Sequence, residues 1–244
     1  MGSFATGEAD PWSDLDLHCC VKDAAADDLR GDGWKMVLQR ITSTIMATTF
    51  PKPLIGGYAL TPDWTHLDLE FVPRHAFDAA MLSGMRPLFD KTDTLLPSGP
   101  IPRPPIQGDP YFPAEAVDLY FYFLGNLVTV LGRGELLLAT NGTIARRDSC
   151  LVPLLLAERG IRRAGGQKRL NPFLSSEQVR LLEALPPIMP TVDAVVACET
   201  ALARIFLPRG RALAARTGAR WPAELEAATL AHVERGLGVA LAIG

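Results

Sequence analysis

Seven prolines crowd into residues 92–113, and they constrain the possible folds more than any other feature of the sequence. Proline has no backbone N–H to donate and holds φ in a narrow range, so it interrupts helix interiors and central strands. A segment this rich in proline predicts a linker rather than a regular element. The chain is therefore expected to form an N-terminal domain over residues 1–91 and a C-terminal domain over residues 114–244.

The hydrophobic pattern differs on the two sides of this linker. Before the linker, alternation of apolar and polar residues predicts strands over residues 13–21, 54–60 and 64–72. Helical spacing of apolar residues predicts helices over 33–46 and 76–89. A polar run predicts a loop over 23–32. After it, helical spacing predicts helices over residues 114–132, 134–159, 176–185, 191–206, 208–218 and 222–237. Pro153 is expected to kink the second of these helices, and Ser175 with Gln178 is expected to cap the third. The predicted fold class is α+β, a small mixed β-sheet domain flanked by helices and followed by an all-α helical bundle domain.

Charge and composition exclude several classes of protein. The formal net charge of the 244 residues is −3, and no long run of lysine and arginine is present, so binding to nucleic acid or to an anionic membrane surface is not expected. The most apolar stretch, residues 114–133, contains Glu115, Asp118 and Asn126 and is better explained as a buried helix than as a membrane span. The four cysteines show no zinc-type spacing and no signal peptide is recognised, so a cytoplasmic protein is expected.

Two aspartates share one face of the first predicted strand. Asp14 and Asp16 occupy positions i and i+2, and alternate residues of a strand project to the same side. Adjacent carboxylates repel each other unless a cation lies between them, and Mg²⁺ commonly takes one or two carboxylates together with substrate phosphates. Gly2 and Ser3 precede the pair and are expected to offer backbone N–H groups and a hydroxyl to those phosphates.

A third carboxylate is expected from another strand. Asp68 lies between two leucines on the polar face of the strand over residues 64–72, where it could accept a proton or bind a second metal ion. Glu70 lies on the same face between apolar neighbours and is an alternative third carboxylate. His18 shares the face of Asp14 and Asp16, where a polar residue at the strand end is the simpler interpretation and a role beside the site is the alternative.

These motifs together resemble those of a known superfamily. The Gly2-Ser3 pair, the segment Ser13–Leu17 and the segment Leu67–Leu69 are similar to motifs of the DNA polymerase β-type nucleotidyltransferases. Within that superfamily the chain resembles the antibiotic-modifying branch of aminoglycoside adenylyltransferases and lincosamide nucleotidyltransferases. The motif-bearing part covers about residues 1–75, and a helical second domain also suits that branch.

The resemblance implies a reaction and a set of roles. Members transfer a nucleoside monophosphate from a nucleoside triphosphate, here expected to be ATP, to a hydroxyl of a small molecule and release pyrophosphate. Carried over by motif, Gly2 and Ser3 would hold the triphosphate, Asp14 and Asp16 would bind Mg²⁺, and Asp68 would be the general base. The acceptor would be aminoglycoside- or lincosamide-like, which implies a role in antibiotic resistance.

Further expectations concern the acceptor and the architecture. In related enzymes the helical domain contributes an acidic residue to a cationic drug, and Glu135 is the candidate here, although an acid in a first helical turn also stabilises the helix dipole. Family members usually have a helix and an apolar strand before the Gly-Ser pair, and Met1 directly precedes Gly2, so the N-terminal domain is expected to lack them. A monomer or a homodimer is expected. Two other functions remain open, an antitoxin-type enzyme that adenylylates a protein and an inactive nucleotide-binding module.

Overall fold

The computed structural model describes residues 3–7, 9–78, 81, 85–91, 107–163 and 167–241. The chain forms two compact units, Met1–Pro104 and Pro105–Gly244. The first unit contains helices α1 (Ser3–Thr6), α2 (Asp23–Leu29) and α3 (Gly33–Leu38) and strands β1 (Leu15–Val21), β2 (Met46–Thr49), β3 (Gly56–Leu60) and β4 (His66–Pro73). The second contains α4 (Ala114–Gly132), α5 (Leu136–Arg146), α6 (Val152–Glu158), α7 (Ser176–Glu183), α8 (Val192–Thr217) and α9 (Ala223–Leu237).

The four strands form one mixed sheet in the order β1-β4-β3-β2. β1 pairs with β4 in parallel, whereas β4 with β3 and β3 with β2 are antiparallel. A parallel pair needs a long crossover connection, and the chain between β1 and β4 supplies α2, α3 and the β2–β3 hairpin. The predicted fold class, a small mixed sheet followed by a helical unit, is confirmed.

Helices cover one face of this sheet. Trp34 and Leu38 of α3 and Leu29 of α2 are buried in one cluster with Leu67 and Leu69 of β4. Leu15 and Leu17 of β1 pack against the same cluster. The alternate residues of β1 and β4 therefore face the opposite side, which leaves Asp16 and Asp68 on the face away from this core.

Tight packing between α3 and the β2–β3 hairpin explains why residue 57 is a glycine. A Cβ added to Gly57 would lie 2.1 Å from the carbonyl oxygen of Thr48 and 2.4 Å from the ring of Trp34. The indole Nε1 of Trp34 donates a hydrogen bond of 3.1 Å to Thr49 Oγ1. A side chain at position 57 would thus separate α3 from the β2–β3 hairpin.

Several predicted elements of the first unit are wrong. The predicted loop over residues 23–32 contains α2, and the predicted helix over 33–46 ends at Leu38. Ile41 and Ile45 continue the helical spacing but are 77% and 58% exposed, so no burial rewards a longer helix there. Met46 lies in the predicted helix by its helical spacing, but in the structure it begins β2, which is defined by pairing with β3, a non-local contact. The described residues 77, 78 and 85–89 of the predicted helix over 76–89 lie in neither helix nor strand.

Regular secondary structure in the second unit, over its described residues 107–163 and 167–241, is helical apart from an isolated bridge between Gln107 and Ile161. Tyr120 of α4 stacks on Phe206 of α8 with ring centroids 3.9 Å apart, and both residues are fully buried. By length and composition α4 could cross a membrane, but Tyr120, Phe121 and Leu124 form part of the core of this unit. The helix is therefore explained by packing within the protein.

Two helix boundaries in this unit differ from prediction. Residues 191–206 and 208–218 were assigned to separate helices, whereas α8 runs unbroken through Pro208. Phe206 and Leu207 beside that proline are fully buried, and their packing offsets the hydrogen bond that the proline cannot make. The segment predicted as one helix over 134–159 consists of α5, a π-helical turn at Arg147–Leu151 and α6. The predicted capping box of Ser175 and Gln178 is confirmed.

A buried ion pair joins α5 to α8. Arg146 and Glu199 have side chains only 2% exposed, and the guanidinium Nε lies 2.7 Å and 2.8 Å from the two carboxylate oxygens. Arg146 also donates a hydrogen bond of 2.8 Å to the carbonyl oxygen of Phe123 in α4. One guanidinium thus holds three helices together.

Candidate metal site

The sheet brings three carboxylates together. In the parallel pairing of β1 with β4, Asp16 lies directly beside Asp68, and Asp14 lies two residues before Asp16. One oxygen from each of the three side chains lies within 4.8 Å of the other two, and all three residues are half-buried. The residues predicted from separate parts of the sequence therefore form one cluster.

Each aspartate is held in place by its surroundings. Leu67 and Leu69 are buried on the helix-covered face, so Asp68 between them must project to the opposite face. A turn fixes the approach to Asp14, because the Ser13 hydroxyl donates a hydrogen bond of 2.9 Å to the Asp10 carboxylate. The Asp10 N–H in return donates one of 2.9 Å to the Ser13 hydroxyl. This turn leads directly into Asp14 and β1.

The cluster suits a hard divalent cation. Mg²⁺ binds oxygen ligands at about 2.1 Å in an octahedron, which places ligand oxygens roughly 3 Å to 4.2 Å apart. The three carboxylates, whose oxygens lie within 4.8 Å of one another, reach that spacing with small side-chain rotations. Three formal negative charges at this separation also repel one another, so a bound cation would stabilise the arrangement. Asp14 and Asp16 would hold such an ion, and the negative charge of Asp68 beside them would favour its binding.

The structure distinguishes Asp68 from Glu70. Glu70 lies one step farther along the same face, beside His18, and its carboxylate is 3.2 Å from the imidazole Nδ1. Among the residues that the structure describes, Asp68 clusters with Asp14 and Asp16, whereas Glu70 does not. Glu70 and His18 thus form a neighbouring pair on the polar face, each with a side chain 25% exposed.

The other predicted site residues, Gly2, Ser3 and Glu135, remain predictions. Ser3 begins the short helix α1 and is half-buried, and Gly2 lies outside the described residues. Glu135 belongs to the second unit, where it is exposed and immediately precedes α5. Its side chain makes no cap hydrogen bond with that helix.

One residue of the polar face was missed in the sequence. Tyr58 of β3 lies beside Asp68 in the antiparallel pairing of β3 with β4, and it is 42% exposed. Because side chains alternate along β3, Tyr58 projects to the face opposite that of the buried Ala59. This alternation in the sequence could have indicated that Tyr58 lies on the polar face. The pairing that carries Tyr58 to Asp68 is a tertiary feature. An aromatic side chain thus borders the carboxylates on the side away from β1.

Comparisons with known proteins give a weak structural similarity and no sequence-level match. No protein-family model matches the chain, and no curated protein matches it. Among solved structures, the chain is similar to the crystal structure of an aminoglycoside 6-adenyltransferase from Bacillus subtilis, with 16% sequence identity and a TM-score of 0.38. This similarity covers 90% of the present chain and 87% of the other.

Proposed function

We propose that the protein is a Mg²⁺-dependent nucleotidyltransferase that moves AMP from ATP to a hydroxyl of a small molecule. The observation that supports this most is the cluster of Asp14, Asp16 and Asp68 on two paired strands. Phosphoryl transfer depends on positioning and on neutralising charge, and a set of carboxylates that binds Mg²⁺ beside a triphosphate meets that need. The proposed acceptor is an aminoglycoside- or lincosamide-like molecule.

The proposed reaction gives each residue a role. Asp14 and Asp16 hold the metal ion, which when bound would neutralise charge on the triphosphate. Asp68 accepts the proton of the attacking hydroxyl, because its carboxylate lies beside the other two. A bond forms between the acceptor oxygen and the α-phosphorus, the bond from the α-phosphorus to the bridging oxygen breaks, and pyrophosphate leaves. Gly2 and Ser3 would bind the triphosphate.

Glu135 is proposed to contact the acceptor. It is exposed and not engaged in capping α5, so its carboxylate can meet a cationic amino group. Glu135→Gln is expected to raise the KM for a cationic acceptor and leave the KM for ATP unchanged. A neutral acceptor would show no effect of this substitution.

The activity is tested by pyrophosphate release from ATP with Mg²⁺ and a pooled panel of aminoglycosides and lincosamides. Release is expected to depend on the acceptor and to be lost in the Asp14→Ala/Asp16→Ala variant. Glu70→Gln is the matched control, since Glu70 lies on the same face outside the cluster. Unchanged release in the double variant would refute the proposal.

The same assay separates the alternatives. Transfer of labelled AMP to a protein in place of the panel would indicate a protein-modifying enzyme of the antitoxin type. ATP binding without pyrophosphate release under any acceptor would indicate an inactive nucleotide-binding module.

A further inference from the structure

The hairpin turn between β3 and β4 is held by a dense set of hydrogen bonds. The hydroxyl of Thr61 donates to the Asp63 carboxylate and accepts a bond of 2.9 Å from the backbone N–H of Thr65. The backbone N–H of Trp64 donates a bond of 2.9 Å to the carbonyl oxygen of Thr61. The Thr65 hydroxyl donates a bond of 3.3 Å to Asp63. These hydrogen bonds on both sides of Trp64 fix its backbone conformation.

This turn holds Trp64 in an unfavourable conformation. Trp64 has φ of +63°, in the left-handed region that glycine and asparagine adopt readily and that a bulky side chain rarely adopts. The side chain gains little burial in return, since Trp64 is 66% exposed. Residues kept in sparsely populated backbone regions cluster at functional sites. A large apolar side chain at such a position is not explained by folding of the turn.

The indole of Trp64 lies beside His66, a residue of β4 on the carboxylate face. Its ring centroid is 6.2 Å from that of His66. His66 and Asp68 are alternate residues of β4, so they project from the same face, with about 7 Å between their Cα atoms. These two short steps would let one nucleotide extend from the carboxylates to the indole. Tyr58 lies beside Asp68 in the pairing of β3 with β4.

We infer that Trp64 forms a stacking platform for the base of a nucleotide whose phosphates bind at the carboxylate cluster, an inference that rests on the proposed function. Every nucleobase has an aromatic face, and exposed aromatic side chains bind bases by stacking. The carboxylates would bind the metal ion that accompanies the phosphates, and the indole of Trp64 would bind the base. Of the two proposed substrates, the nucleotide is the one that has both parts. The acceptor contributes a hydroxyl and needs no aromatic partner.

Direct binding measurements test this inference. The dissociation constants of ATP and of inorganic tripolyphosphate are measured with Mg²⁺ for the wild type, Trp64→Asn and Trp64→Phe. Tripolyphosphate has the phosphates of ATP without the base. Trp64→Asn is expected to weaken ATP binding about tenfold and to leave tripolyphosphate binding unchanged, because only the stacking contact is lost. Trp64→Phe retains a ring and is expected to retain most of the ATP affinity.

A stability measurement separates this role from a structural one. Asparagine tolerates the left-handed region better than tryptophan does, so Trp64→Asn is expected to unfold at the same temperature as the wild type or higher. A lower unfolding temperature, or equal weakening of ATP and tripolyphosphate, would show that Trp64 acts through the fold and would overturn the inference.

The outcomes also separate this inference from the proposed function. Equal ATP affinity in the wild type and Trp64→Asn, together with weaker binding of both ligands in Asp16→Asn, would overturn the stacking role and leave the proposed function standing. If the wild type bound neither ligand, the proposed function and the inference would fail together.

Discussion

The carboxylate cluster predicts a substitution that stabilises the metal-free protein while removing its activity. Asp68 lies within 4.8 Å of both Asp14 and Asp16, measured between one oxygen of each side chain. At that distance each like-charge pair costs about 0.9 kcal/mol at the dielectric constant of water, and more in a half-buried site. Asp68 is far from the other two along the chain, so unfolding relieves both repulsions. Asp68→Asn is therefore expected to raise the free energy of unfolding by about 2 kcal/mol at low ionic strength.

The assay is urea unfolding in a metal chelator, followed by tryptophan fluorescence, to which Trp34 contributes as a fully buried residue beneath the sheet. Glu70→Gln is the control, because Glu70 lies outside the cluster and pairs with His18. An ion pair of this exposure contributes about 0–1 kcal/mol, so the control is expected to be neutral or slightly less stable than the wild type. Added salt should reduce the gain from Asp68→Asn, since exposed charges are screened.

Magnesium should reverse the order of stability. A ligand that binds only the folded state adds about 2.7 kcal/mol at a hundred times its dissociation constant, and the wild type is expected to gain more than Asp68→Asn does. Loss of stability in Asp68→Asn without metal would show that the three carboxylates do not repel one another. An identical Mg²⁺ response in both proteins would show that Asp68 does not contribute to ion binding.

Three further predictions concern charges and thiols elsewhere. Glu199→Ala should cost about 3–5 kcal/mol in urea unfolding, because it leaves the Arg146 guanidinium buried without its partner, and Arg146→Met/Glu199→Leu should recover most of that loss. A hydrogen bond from Thr61 lowers the pKa of the Asp63 carboxyl. The ionised Asp63 therefore stabilises the turn; this stability is fully present above about pH 4 and is lost as the pH falls through the lowered pKa. An NMR pH titration should show that Thr61→Val returns the pKa of Asp63 toward its ordinary value. Burial raises the pKa of the Cys150 thiol to about 12, so a thiol-specific reagent at neutral pH should label it only after unfolding.

Local pattern was enough to find the carboxylates but not to choose among them. Asp14 and Asp16 share a face because strand geometry alone sends alternate side chains to one side. Asp68 and Glu70 satisfied the same pattern, and only the pairing of β1 with β4 places Asp68 beside Asp16 and Glu70 beside His18. Register depends on contacts between segments that are distant in sequence.

Secondary structure was missed where tertiary contacts override local preference. The segment over residues 23–32 predicts a loop because it is polar and flanked by Gly31 and Gly33, yet Ala26 and Leu29 of α2 are buried against the sheet and favour a helix. β2 is only four residues long and is defined by its pairing with β3, so periodicity could not reveal it. α8 passes through Pro208 because its neighbours on the helix are buried in the core.

Hydrophobic periodicity, which acts over a few residues, was enough to predict the α+β class and the face that carries Asp14 and Asp16. The tertiary structure alone decided that Asp68 completes the cluster, that Tyr58 lies beside it and that Trp64 is held in the left-handed region. These features depend on which strands pair and in what register. Pairing is set by the burial of whole faces against the core, a property of the folded chain that no short segment contains.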